Sequence, residues 1–391
     1  MAGFGKLYGR PKAHPRPSMR GLLPLLALVL LAAPLLGGCL GTIERSEWAY
    51  DDAGLDALAA TGRTGAGVTI AILDTGINTN HPALDHLVDD DPDNGQLVAF
   101  RDFLGNAMGP REAFDEEGHG SHVAGILAAR GSTGSLYGGV ELKGGAPRAM
   151  LVVGRVCDTL CDAALLPQAI AWAVGEGADI ISLSLGGSFN VTDTRQRLEV
   201  EQAIDAAIDA GVVVVASAGN QGAGSPDVES PADIPGVIAV GSIGRDGHVS
   251  AFSSRGSASN NVCRPLPIPL PGLLPTLPRP LPIVLSRCEP DQKPELVAPG
   301  EDILSAWSDD CDAAPCYYEA SGTSQATPFV TAAIALILQG RTDLTMRAQV
   351  LELKQALVDS AKPIDGQQLP HDNASGYGAL DGRAALAAYE A

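Results

Sequence analysis

Glu319-Ala320-Ser321-Gly322-Thr323-Ser324-Gln325-Ala326-Thr327-Pro328-Phe329-Val330 runs a patch of small residues into an apolar pattern that continues to Leu338. Thr327 and Pro328 in an opening turn, followed by Val330, Ile334, Leu336 and Ile337, predict a helix start and then a buried helix. Ser324 therefore lies at or just before a helix N-terminus, where free backbone N–H groups and the helix dipole favour negative charge. A nucleophile whose product is an oxyanion belongs in such a place. It needs a base to activate it, and the rest of the chain is read with that base in mind.

Upstream, Val68-Thr69-Ile70-Ala71-Ile72-Leu73 is a continuous apolar, partly β-branched run of the kind buried in a parallel sheet, and it ends at Asp74-Thr75-Gly76. Strands are also predicted at 149–156, 180–185, 212–215 and 237–242, alternating with helices at 165–174 and 200–210. Residues 48–60 read as one helix, 77–115 as loops with short strands, and 346–358 as a late helix; Gly376-Tyr377-Gly378-Ala379-Leu380 closes the fold. There is no internal repeat. Strands alternating with helices define the fold class: α/β, a doubly wound, mostly parallel sheet flanked by helices. In such sheets sites form at the carboxyl ends of strands, which is where Asp74 stands.

Gly118-His119-Gly120-Ser121-His122-Val123-Ala124-Gly125 opens another helix. Two His three apart do not match the metalloprotease helix, which spaces them by four with a Glu between. His119 is read as a base in the site and His122 as an internal helix residue. The acidic turn Asp89-Asp90-Asp91-Pro92-Asp93-Asn94-Gly95 carries carboxylates for calcium, but it fails the EF-hand spacing and lacks a closing Glu. It reads as a solvated turn, with structural calcium left open and no cofactor required for chemistry.

The N-terminus is a separate matter. Lys6, Arg10, Lys12, Arg16 and Arg20 precede an apolar run of 15 residues, 22–36, which ends Leu36-Gly37-Gly38-Cys39. That run is short for a spanning helix and fits a signal peptide; Met19 is an alternative start. Leu-Gly-Gly-Cys resembles a lipobox, so Cys39 is expected to be the lipidated first residue of a membrane-attached protein. The alternative is an ordinary secretory signal. Removing residues 1–38 takes the formal net charge from −20 to −25, which argues against nucleic-acid binding. Only four Lys remain, 143, 293, 354 and 362, a balance that suits a salty habitat or simply a soluble exported protein.

Six Cys follow Cys39 in three local pairs, so the expected disulfides are Cys157–Cys161, Cys263–Cys288 and Cys311–Cys316, with a zinc site as the alternative. Between Cys263 and Cys288, Pro recurs every two to four residues over 264–282, which rules out helix and strand interior. It reads as a tethered surface excursion whose apolar side chains either contact another body or pack on the domain.

Asp74, His119 and Ser324 each sit in a Gly-rich turn beside a core element, and together they form the set a serine hydrolase needs. Ser attacks, His shuttles the proton, and Asp fixes the imidazole tautomer. Ile72-Leu73-Asp74-Thr75-Gly76-Ile77, Gly118-His119-Gly120-Ser121-His122-Val123-Ala124-Gly125, Ser182-Leu183-Ser184-Leu185-Gly186-Gly187, Ala216-Ser217-Ala218-Gly219-Asn220, Phe252-Ser253-Ser254-Arg255-Gly256 and Ser321 to Pro328 resemble, in order, the blocks of subtilisin-like serine proteases. The resemblance covers roughly residues 48–388 and includes the chain order Asp, His, Ser. It implies that Asn220 supplies an oxyanion-hole amide together with the Ser324 N–H. It further implies that Ser184, Leu185, Gly186 and Ala218 flank the substrate backbone, offering an extended peptide a strand to pair with. Glu229 falls where the family has the base of the P1 pocket; there a carboxylate favours Lys or Arg, and a plain surface Glu is the other reading.

Gln325 stands where the family usually has Met and Ser121 where it has Thr; neither touches the triad. Only about 28 residues separate Cys39 from the first core strand, against a far longer folding prodomain in similar secreted proteases. The resulting division is 1–38 signal, 39–66 lead, and 67–391 peptidase domain with a Pro-rich insertion at 257–292. The expected protein is a monomeric serine endopeptidase acting on extended polypeptides, lipid-anchored at the outer face of the cell membrane. The rivals are an inactive peptide-binding protein and a dedicated processing protease with one partner.

Overall fold

Interior strands of a parallel sheet are covered on both faces, so they read as unbroken apolar runs, and that is how these runs fold. The computed structural model describes residues 46–89, 95–131, 142–158, 161–185, 194–262, 287–307, 317–341 and 344–391. β1 (Thr69–Asp74), β2 (Leu97–Asp102), β3 (Met150–Arg155), β4 (Ile180–Leu183), β5 (Val213–Ser217), β6 (Ile238–Ile243) and β7 (Leu296–Pro299) form a seven-stranded sheet in the order β2-β3-β1-β4-β5-β6-β7. Every pairing in it is parallel. The chain leaves β1 to one side, towards β3 and β2, and returns to the other side with β4. The crevice beyond the carboxyl ends of β1 and β4 is thus the switch point, the place where such sheets bind ligands.

Helices α1 (Glu47–Asp52), α2 (Leu55–Ala59), α3 (His119–Ala128), α4 (Leu166–Gly175), α5 (Thr194–Asp209), α6 (Thr323–Leu338), α7 (Arg347–Asp359) and α8 (Gly382–Tyr389) surround the sheet, and β8 (Ile303–Ala306) pairs antiparallel with β9 (Tyr317–Ala320). The helix expected over 48–60 is two helices. Gly54 between them adopts φ +72°, a left-handed conformation that ends α1, and the Ala53 carbonyl turns to accept the Gly382 N–H at 2.9 Å. Among the described residues no helix is long and apolar enough to cross a membrane. Nor does any group of three or more His, Cys, Asp or Glu there form a metal cluster.

α6 is buried along its whole length, as a helix apolar on all sides must be. It begins at Thr323, four residues before the Thr327-Pro328 signal, and Pro328 lies inside it. Two contacts from other strands explain the early start. Asn220, beyond β5, accepts the Thr323 N–H on Oδ1 at 2.9 Å and so caps the helix from outside. Pro328 has no N–H to give the Ser324 carbonyl four residues back, and the Ser184 hydroxyl supplies that bond instead, at 3.0 Å.

The amino ends of β6 and β7 hold a different cluster. Lys293 and Lys354, both fully buried, donate to the Val237 carbonyl, and each pairs with the buried Glu295 carboxylate. Asp291 also accepts from Lys354, at 2.8 Å. Half of the four lysines beyond the signal region thus serve one buried ionic network at the end of the sheet away from Asp74. Paired burial of this kind is costly to break from one side, at about 3–5 kcal/mol, because the remaining charge is stranded. Cys157 and Cys161 are joined as expected. The other two expected pairings rest on Cys263, Cys311 and Cys316, which lie outside the described residues, as do Cys39 and most of the 89–95 turn.

Candidate active site

The last residue of β1 is Asp74, fully buried. Its Oδ1 accepts the Thr75 N–H at 2.8 Å and faces His119 Nδ1 at 2.7 Å. Since Asp74 can only accept when ionised, Nδ1 carries the proton and Nε2 keeps its lone pair for another group. His119 keeps 29% of its side-chain surface exposed while the carboxylate has none, so the imidazole's far edge faces the cleft.

His119 is the first residue of α3, and the start of that helix is fixed by Asp115. The buried Asp115 carboxylate accepts from Gly118 N at 2.9 Å, from Ser121 N at 2.8 Å and from Ser121 Oγ at 2.7 Å. It also accepts the Thr75 hydroxyl at 2.9 Å, and Thr75 in turn accepts Gly120 N at 2.8 Å. One carboxylate thus locks the turn after β1 to the first turn of α3. Gly76, at φ +121°, lets the two meet: a Cβ there would lie 2.1 Å from the Phe114 carbonyl oxygen. For His119, burial lowers the pKa, and the Asp74 charge, the Asp74 hydrogen bond and the Asp115 charge together more than offset it, leaving it above 6.5. His122 goes the other way. Burial, then the His119 charge, push it down to about 3, and its Nε2 donates to the Ile303 and Tyr318 carbonyls at 3.0 Å each. It is a neutral strut between α3 and the β8–β9 hairpin.

Ser324, 6% exposed, is the second residue of α6. Its hydroxyl donates to the Ser184 carbonyl at 3.0 Å, while the Ser184 hydroxyl donates back to the Ser324 carbonyl. Ile72 of β1 is level with Ser182 of β4, so two residues further on Asp74 is level with Ser184. The sheet register therefore brings the serine to the strand beside the carboxylate.

Asn220 holds both Thr323 N and Thr323 Oγ1 on its Oδ1, at 2.9 and 3.0 Å. A backbone N–H can only donate, so the oxygen must face Thr323 and the amide Nδ2 must face the other way, towards solvent. Among the described residues the Ser324 N–H has no acceptor, whereas Gln325 N bonds to Gly322 O at 3.1 Å. Among the described residues two donors, the Ser324 N–H and the Asn220 NH2, are thus left without an acceptor.

The expected substrate-flanking residues divide. Ser184 is at the site. Leu185 is 4% exposed and packs in the core. Ala218, just beyond β5, is fully buried; its N–H donates to the Val240 carbonyl of β6 and its carbonyl accepts from Glu229 N. Gly186 lies outside the described residues. Glu229 is half-buried: both carboxylate oxygens are turned out of solvent, and among the described residues no donor meets them in good hydrogen-bond geometry. The side chain presses on Gly219, where a Cβ would lie 2.5 Å from Glu229 Cδ, and Gly219 has φ +102°. Burial raises the Glu229 pKa, and the nearby Gln221 amide lowers it in part without closing a well-aligned hydrogen bond.

Geometry of this kind, at the carboxyl edge of a parallel sheet, defines a class: hydrolases that attack with a serine activated by a carboxylate-oriented imidazole. Within that class the chain belongs to the subtilase family, whose model matches residues 65–272 and 279–378. It is 31% identical to serine protease AprX of Bacillus subtilis over 310 residues, 72% of this chain and 59% of AprX. It is 32% identical to thermitase of Thermoactinomyces vulgaris over 291 residues, 73% of this chain and 80% of thermitase. The solved prenylagaramide maturation protease PagA shares the fold, with a TM-score of 0.59 at 24% identity over 86% of this chain and 98% of that one.

Asp115 and Thr75 are the positioning residues that the sequence reading missed. The available signal was an acidic residue four positions before His119, at the mouth of a helix. Asp115→Asn removes a negative charge that raises the His119 pKa. The acid limb of kcat/KM, expected above pH 6.5 in the parent, should therefore move to lower pH in the variant. The pH–rate profiles of the two proteins on one peptide substrate check this.

Proposed function

We propose that this chain is a serine endopeptidase that hydrolyses peptide bonds in extended polypeptides. The observation that carries the reading is the Asp74–His119 contact at 2.7 Å, in register with the strand whose Ser184 carbonyl receives the Ser324 hydroxyl. In the reaction, Ser324 Oγ turns from Ser184 towards His119 Nε2 and attacks the scissile carbonyl carbon as Nε2 takes its proton. Asp74 keeps Nδ1 protonated and stabilises the imidazolium. The carbonyl oxygen becomes an oxyanion, held by Asn220 Nδ2 and the Ser324 N–H at the positive end of α6. Collapse breaks the C–N bond, His119 returns the proton to the leaving amine, and an acyl-enzyme remains on Ser324. Water, deprotonated by His119, then repeats the sequence and releases the carboxylate product.

Two finer proposals accompany this. Glu229, whose carboxylate oxygens are shielded from solvent and have no counter-ion among the described residues, lies next to the Asn220 loop and supports a preference for Lys or Arg at P1. The lipobox-like Leu36-Gly37-Gly38-Cys39 supports a lipid anchor on Cys39 at the outer face of the membrane.

A fluorophosphonate probe should label the mature protein and leave Ser324→Ala unlabelled; no labelling of folded parent protein would sink the enzymatic reading. Asn220→Ala should lower kcat by about 10²–10³, the loss established for subtilisins that lack this donor. Glu229→Gln should lower kcat/KM for a P1 Arg peptide by about tenfold while sparing its P1 Leu counterpart. Cys39→Ser should move the expressed protein from the membrane fraction to the soluble one, and retention in membranes contradicts the anchor.

A further inference from the structure

The chain entering the Pro-rich stretch and the chain leaving it converge on a single side chain. Asp227 accepts Ser257 N at 3.0 Å and Asn260 Nδ2 at 2.6 Å from the entering arm. It accepts Arg287 NH2 on both carboxylate oxygens, at 2.8 Å each, from the leaving arm. The arms are also joined to each other: Arg287 N donates to Asn260 O at 2.6 Å, and Lys293 N donates to Asn261 Oδ1 at 3.0 Å. The Arg287 side chain is only 3% exposed, so this ion pair is shielded from water and salt.

Asp227 itself belongs to the loop that carries Glu229. It accepts the Val228 N–H at 2.9 Å, and one residue later Glu229 N is pinned to the Ala218 carbonyl at 2.9 Å. The entering arm grips the same loop system a second time. Ser254 N donates to Gly219 O at 2.9 Å, Gln221 N to Ser254 Oγ at 3.0 Å, and Gly222 N to Phe252 O at 2.6 Å. Residues 219–222 lie between these bonds and include Asn220; residues 227–229 lie between the Asp227 contacts and Ala218.

We propose that Asp227, through its pair with Arg287 and its bond to Asn260, is a positioning residue for P1 recognition. It ties the roots of the insertion to the wall that Glu229 builds, and thereby holds the Glu229 carboxylate against Gly219. This rests on the P1 reading of Glu229 given above. A wall carrying a desolvated carboxylate with no cation beside it among the described residues has a standing reason to relax outward, since solvent would hydrate the charge. The clamp two residues away opposes that relaxation, and a substrate cation then finds the carboxylate already in place.

The test uses the full mature protein and two peptides that differ only in Arg or Leu at P1. Asp227→Asn keeps the shape, removes the charge and turns a donor towards Arg287 or Asn260. The Arg-to-Leu ratio of kcat/KM should fall about fivefold, mainly through KM for the Arg peptide, with the acid-limb pKa of His119 unmoved. In a Glu229→Gln background the same substitution should leave the ratio unchanged, because both act on one feature. Arg287→Lys, which keeps the charge and is the gentler change, should shift the ratio in the same direction by less; it decides the matter if Asp227→Asn does not fold. An Asp227→Asn protein that melts normally and keeps the parent ratio overturns the proposal, as does a shift that simply adds to that of Glu229→Gln. If Glu229→Gln alone leaves the ratio intact, the P1 reading of Glu229 fails and the clamp falls with it; if Glu229→Gln shifts the ratio while Asp227→Asn does not, the clamp alone is overturned.

Discussion

Everything in the site depends on one buried negative charge. Asp74 has no exposed surface, and of its two carboxylate oxygens only Oδ1 has hydrogen-bond donors among the described residues, the Thr75 N–H and His119 Nδ1. A carboxylate removed from water needs a partner that can carry positive charge. The imidazole is that partner, and the arrangement is stable only while His119 stays within hydrogen-bond range. The surrounding structure answers that demand. A second buried carboxylate, Asp115, fixes the first turn of α3 and the turn after β1 in one network, so that His119 has little freedom to leave. The two acids divide the labour: one orients the base, and the other holds the helix on which the base stands.

The serine side is governed by a backbone defect. Pro328 inside α6 leaves the Ser324 carbonyl without its helical donor, and the Ser184 hydroxyl fills the gap. The substituted bond docks the helix N-terminus on the end of β4, next to the carboxylate strand. Asn220 completes the assembly by spending its oxygen on Thr323, which turns its NH2 away from the helix start. Helix start, nucleophile position and amide orientation therefore follow from three side chains on three separate elements.

That division explains what was readable in advance. Asp74, His119, Ser324 and Asn220 sit in local patterns of glycine and apolar residues, and the alternation of runs indicated a doubly wound sheet with its site at the carboxyl edge. Family resemblance then implied the roles. Features that depend on contacts between distant segments were not readable. The α6 start moved to Thr323 because a cap arrives from 103 residues away. The break at Gly54 reflects Ala53 bonding to Gly382, far along the chain. The backbone bonds of Ala218 to Val240 and Glu229 likewise join segments that local sequence does not connect. Asp115 carries no motif of its own, and its importance appears only when Thr75 and Ser121 close around it.

The most direct test of this account is a crystal structure of the mature protein inactivated with a peptidyl phosphonate. The account predicts a covalent bond from Ser324 Oγ to phosphorus, with Oγ turned away from the Ser184 carbonyl. One phosphonyl oxygen should lie about 2.7–3.1 Å from both Asn220 Nδ2 and Ser324 N, the range a working oxyanion site requires. His119 should remain hydrogen-bonded to Asp74. An adduct whose oxygens point to solvent while Asn220 stays disengaged, or an adduct on any other residue, would contradict it.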